Sequence, residues 1–295
     1  RDTLSLSHNW NIISFHTMMV ISKSYRFVLF FLISVAHTVL SLSTQDLKDI
    51  CSSSDPLPEL ISGIDLGGKT FKRGIYKATA ALGITGELIL DDDNDGATGT
   101  EWIFCVGAAF TTSANSKMIM TVNGKTANVH WVVTGAISLG LNSVAVGSFY
   151  TPTAMTVAGG TPFTFDPSAP LTTFSIGGAL TINAGCVMAL QTAYNAVISD
   201  VCSLPSGTPN VQWVVSGAIT IGASATVVGI MKSMAGEIVL GAGASSTDLG
   251  AAGGTSLGAD AHAKSATAGG AVSLFAGAYL QEEYLLPLPS SLSIA

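Results

Sequence analysis

Apolar positions along this chain fall in short alternating runs broken by glycine. In residues 128–133, Val129, Trp131 and Val133 alternate with Asn128, His130 and Val132. A period of two is that of a strand with one buried side. A six-residue unit recurs along the chain: hydroxyl, apolar, small, small, variable, small. Its copies begin at Thr111, Ser138, Thr156, Thr181, Thr220, Val239, Ser256 and Ser273, and the last four start 17 to 19 residues apart. Such a period predicts stacked solenoid coils, with glycine corners and one inward row per face merging into a continuous core. A β-sandwich of glycine-linked strands is the alternative.

A longer duplication reinforces the coils. Residues 128–140 (NVHWVVTGAISLG) recur as residues 210–222 (NVQWVVSGAITIG), and Val146-Gly147 recurs as Val228-Gly229. Trp102, Trp131 and Trp213 sit at inward positions. Two segments depart from the strand pattern. In residues 187–201, Met188, Leu190, Tyr194, Val197 and Val201 share helical spacing and predict an amphipathic helix beside the solenoid. Pro152, Pro162, Pro167 and Pro170 predict an irregular loop over residues 151–171.

Composition narrows the function classes. Charged residues are 11% of the chain, against roughly 25% in ordinary soluble domains. Between Thr126 and Met231 the only charges are Asp166 and Asp200. The apolar runs there are too short to span a bilayer, so the pattern predicts β-structure with a neutral, hydroxyl-bearing surface. Beyond the leader the single arginine is Arg73, which leaves no basic footprint for nucleic acid. Lys23 and Arg26 precede the apolar residues 27–36, with small residues following, as in a secretory signal peptide. A short membrane anchor is the other reading. The expected organisation is upstream sequence at 1–17, signal peptide at 18–43, one solenoid domain at 44–286 and a frayed tail at 287–295. Secretion permits disulfides among Cys51, Cys105, Cys186 and Cys202. Cys186 and Cys202 are nearest in sequence, but the pairing stays open.

Four segments together carry a family resemblance: residues 60–77 (LISGIDLGGKTFKRGIYK), 84–90 (ITGELIL), 101–112 (EWIFCVGAAFTT) and 128–133 (NVHWVV). In this order they resemble the microbial and algal ice-binding (antifreeze) protein family. The resemblance is best over residues 60–160, and residues 189–195 add a likeness to the family's helix. It implies a mainly β fold, a discontinuous right-handed β-solenoid with one α-helix packed alongside. It also implies ice as the partner. The family's helix usually precedes the segment matched by residues 60–77; here only about twenty residues separate that segment from the leader.

Chemistry-bearing residues are sparse. Past the leader only His130 and His262 remain, both expected at the surface, and no motif supplies a catalytic triad. No enzyme activity and no cofactor are expected. Residues 91–96 (DDDNDG) match the start of a calcium loop, but its twelfth position is Trp102 rather than Glu. A solvated acidic turn is therefore expected, and no metal. Ice recognition calls for a flat, rigid, uncharged face rich in Thr and Ser. The candidate outward residues are Thr112, Asn115, Ser138, Asn142, Thr156, Thr181, Asn183, Thr220, Ser224, Ser256 and Ser273. Taken singly, each is also explained as a corner residue turning the chain. A monomer is expected. The alternative function is a secreted adhesin or cell-wall protein binding polysaccharide, which an exposed tryptophan stripe would favour. A β-helix lyase or hydrolase would need a charged groove that the pattern lacks.

Overall fold

A computed structural model describes residues 43–53, 59–61, 65–91, 100–121, 127–159, 163–165, 172–186, 188–190, 211–280 and 292–294. All of them lie in one compact unit, residues 42–295. The leader, most of the acidic turn and Cys202 fall outside the described residues.

The chain visits three sides in turn. Gly74–Ala78 lies on face 1, Leu82–Ile84 on face 2 and Glu87–Asp91 on a third side; Thr100–Val106 then returns to face 1. Face 1 is an 11-stranded sheet and face 2 a 10-stranded sheet. The third side carries a three-stranded and a two-stranded sheet. Each strand pairs in parallel with its counterpart one coil later, as in Gly74↔Trp102 and Ile238↔Thr255. This is a β-solenoid. No segment could bury its apolar side alone, whereas stacked coils close a common core.

That core is an aromatic column along face 1. Tyr76, Phe104, Trp131, Phe149, Phe174 and Trp213 are successive partners in register. From Phe104 onward the rings stack nearly parallel, with centroids 4.3, 6.1, 5.6 and 3.8 Å apart. The column then narrows through Met231 and Leu249 to Ala266. The duplicated segments lie in this one column: Trp131 Nε1 donates to the Val146 carbonyl and Trp213 Nε1 to the Val228 carbonyl, each 15 residues on.

Three expectations change. Met188–Leu190 is a strand paired with Phe163–Phe165, not the start of a helix; residues 191–201 fall outside the described residues. A three-residue apolar run suits either element, and strand pairing decides it here. Within the expected loop 151–171, Met155–Val157 and Phe163–Phe165 are strands, because the prolines sit outside the paired positions. Within the expected tail, Leu292–Ile294 pairs with Val272–Leu274.

A helix, Thr44–Ser52, lies on the outer side of face 1. Ser43 and Asp46 close a capping box at its start. Leu47 packs on Ile103, Cys105, Val132 and Tyr150, which are outward positions of face 1. A Cys51–Cys105 disulfide fastens the helix to the sheet. Cys186 is buried in the core. No helix among the described residues is long and apolar enough to cross a membrane.

Candidate functional site

Face 2 is built from three-residue strands whose outer residues are buried and whose middle residue points outward. Ile137 and Leu139 are 1% exposed, while Ser138 between them faces solvent. Parallel pairing places the middle residues in one file: Gly83, Thr111, Ser138, Thr156, Thr181, Thr220, Val239, Ser256, Ser273 and Ser293. From Thr111 to Ser273 the file is the first residue of every copy of the six-residue unit. At about 4.8 Å per coil those eight residues span roughly 34 Å. Two residues before each of these, immediately ahead of the strand, runs a second file: Ala109, Ala136, Ala154, Ala179, Ala218, Glu237, Gly254 and Ala271. Their carbonyls accept from the first amide of the strand one coil earlier, as Ala154 does from Ile137 and Ala179 from Met155.

Of the expected residues, Ser138, Thr156, Thr181, Thr220, Ser256 and Ser273 belong to the outward file. Asn183 is exposed just past the strand Leu180–Ile182. Asn115, Asn142 and Ser224 lie at the corner after face 2 with φ of 62°, 53° and 56°. They hold the left-handed turn, a conformation that Asn tolerates better than most side chains. Asn142 Nδ2 donates to Asn115 Oδ1 at 3.4 Å. Gly185 and Gly243 take the same turn, so this file serves the backbone. Thr112 is not outward: it is 7% exposed. It fills the inward position held by Leu139, Val157, Ile182 and Ile221 in other coils. Its hydroxyl donates to Ser143 Oγ and accepts from the Gly140 amide, at 3.0 and 2.8 Å. The outward residue of that coil is Thr111, which the repeat alignment itself indicates.

The other chemistry-bearing groups do not converge. Trp102, Trp131 and Trp213 are all fully buried, so none offers a platform to a sugar. A groove of about 760 Å³ beside the helix is lined by Lys48, Asp49, Val132, Tyr150, Ser175 and Val214, among others; its lining is mainly apolar.

His130, expected at the surface, is 8% exposed, with the Tyr150 ring 6.0 Å from its own. Its Nδ1 has no hydrogen-bond partner among the described residues. Burial pushes its imidazole from 6.5 down to about 4. The folded chain therefore rejects a proton that the unfolded chain accepts, so stability is full above pH 6.5 and falls towards pH 4. The loss approaches about 3 kcal/mol. His130→Gln, the residue of the duplicate at Gln212, is expected to flatten this decline. Urea midpoints at pH 7 and pH 4.5 check it; the same decline in both proteins would refute the assignment.

Comparison with known proteins places this architecture. Residues 36–187, just over half of the chain, match the model of the Ice-binding-like family. The chain belongs to the Ice-binding-like family. An ice-binding protein of Nostoc sp. (strain HG1) is 33% identical over 100 residues, 34% of this chain and 36% of that protein. Ice-binding protein 1 of Shewanella frigidimarina (strain NCIMB 400) is 32% identical over 103 residues, 33% of this chain and 11% of that protein. The chain thus spans about a third of the first relative and about a tenth of the second. The crystal structure of an ice-binding protein from the Antarctic ascomycete Antarctomyces psychrotrophicus is 26% identical with a TM-score of 0.38, covering 50% of this chain and 64% of that one. The Ice-binding-like match ends beside Cys186, so the coils from Val211 onward lie beyond it.

Proposed function

We propose that this protein adsorbs to ice through the outer side of face 2 and restrains crystal growth or recrystallisation. The observation that carries the reading is the in-register file of hydroxyl residues beside a file of alanines. Membership of the Ice-binding-like family supports it, as do relatives named for ice binding.

The physics follows from the residue types. A Thr side chain carries a methyl and a hydroxyl on one stiff carbon, and its χ1 is restricted. A row of them fixes apolar and polar groups at one repeat along the solenoid. Water over such a row is held between hydroxyl groups and fenced by methyl groups, so a lattice-like layer forms with little reorganisation. The alanines beside the row add no bulk. The coils are hydrogen-bonded backbone to backbone, so adsorption immobilises few torsions and costs little ordering entropy. Charges would oppose this, since an ion keeps its own hydration shell.

Secretion belongs to the same reading. The apolar segment 27–36 behind Lys23 and Arg26 supports a secretory leader, and the Cys51–Cys105 disulfide suits an oxidising compartment.

The test is partition into a growing ice front, with a recrystallisation assay on the same preparation. Enrichment in the ice and smaller grains are expected. A folded protein that stays in the liquid and leaves grain growth unchanged would overturn the reading.

A further inference from the structure

We infer that Glu237 and Val239 divide face 2, confining ice contact to the five coils from Thr111 to Thr220. This rests on the ice-binding reading above and refines it. The strand Ile238–Leu240 and the residue before it break both files at once. Val239 puts an aliphatic side chain where the preceding coils carry a hydroxyl. Glu237 puts an exposed carboxylate where they carry alanine. Its neighbours along that file are Ala218 and Gly254, whose backbones bond to the same ladder. Among the described residues no cation is paired with it. A hydrated carboxylate about 4.8 Å from each neighbouring rung keeps its own water shell, and an ice lattice does not accommodate that shell.

The coils beyond this line differ in a second way. Their outward residues are Ser256, Ser273 and Ser293, none with the methyl group that all of the five outward residues from Thr111 to Thr220 but Ser138 carry as Thr, and Gly254 replaces alanine in the second file. Phe275, 48% exposed, projects just past the strand Val272–Leu274, where earlier coils carry Ser113, Gly140, Asn183 or Gly222. A protruding ring at the margin spoils a planar fit. The C-terminal coils therefore extend and close the solenoid without contributing to the contact.

The experiment compares single tyrosines on either side of the line, in the full chain. Recrystallisation inhibition is measured, with a melting curve for each variant. Thr181→Tyr is expected to lose activity, whereas Ser256→Tyr and, as a second position, Ser273→Tyr keep it. The double variant Glu237→Ala with Val239→Thr is expected to act at lower concentration than the native chain. Adding Ser256→Tyr to that double variant should then reduce activity. Loss of activity from both Ser256→Tyr and Ser273→Tyr in the native background, with melting unchanged, would overturn the division. So would a double variant no more active than the native chain. A harmless Thr181→Tyr would instead strike at the ice-binding reading of face 2 itself.

Discussion

Trp213→Ala is expected to lower the unfolding free energy by about 3–5 kcal/mol, as truncation of a fully buried aromatic residue does. The ring is wholly buried and stacks on Phe174 at 3.8 Å with planes 8° apart. Its N–H reaches the Val228 carbonyl at 3.1 Å. Truncation opens a void in the aromatic column and leaves that carbonyl without its indole donor. The site is held by hydrogen-bonded coils on both sides, so the void cannot collapse. Coils in a solenoid draw stability from their neighbours, so the region from Val211 onward should exchange its amides faster than the coils before it. Equilibrium denaturation with hydrogen exchange measures both effects. A loss below about 0.5 kcal/mol, the range of ordinary surface changes, would contradict the packing described.

Gly229→Ala is expected to be comparably severe, for a different reason. Gly229 has φ of +113°, and a Cβ there would lie 2.6 Å from the Val211 carbonyl oxygen and 2.8 Å from the Val211 Cβ. Both the backbone conformation, at about 1–3 kcal/mol, and the contact with a fixed neighbouring coil oppose the substitution. Gly147 repeats the arrangement against Val129, with φ of +101° and an oxygen at 2.5 Å. Here lies the physical basis of the duplicated Val-Gly pair. Gly86→Ala is the control: φ is +86°, but nothing lies within 4 Å of the added carbon. Melting temperatures should therefore fall more for Gly229→Ala and Gly147→Ala than for Gly86→Ala. Equal falls in all three would show that close approach between coils is unimportant.

Much of this was legible in the residues, since a solenoid writes its repeat into the chain. The six-residue unit aligns Ser138, Thr156, Thr181, Thr220, Ser256 and Ser273 by sequence alone, and the same residues form one file on face 2. Its fifth position gave Asn115, Asn142 and Ser224, which turn the corner; the unit shows that these positions are equivalent but not which way they point. Thr112 was misplaced because its hydroxyl outweighed its place in the unit, where other coils carry Leu, Ile or Val. The strand Met155–Val157 was obscured by nearby prolines, although Thr156 opens a copy of the unit.

The covered half of face 1 was harder to see. Its signal is that residues on both sides of the strand are apolar: Ile103 and Cys105 point outward between Trp102, Phe104 and Val106, and all are buried. A strand apolar on both faces needs a cover. That cover is the helix Thr44–Ser52, whose Ser43–Asp46 cap sits at the boundary drawn for the leader. His130 is buried on the same side of its strand as Val132, which a local reading of its neighbours could not reveal.

The most direct test of the central claim places the same bulky residue on two sides of the solenoid. Thr156→Tyr projects a ring from the middle of the hydroxyl file on face 2. Lys232→Tyr projects one from face 1, where Lys232 is exposed in register between Val214 and Gly250. Both are outward residues, so melting curves should stay close to that of the native chain. Grain size in annealed ice is then measured across a concentration series. The account predicts that Thr156→Tyr no longer restrains grain growth while Lys232→Tyr performs as the native protein does. Full activity in Thr156→Tyr, or loss in Lys232→Tyr alone, would contradict it.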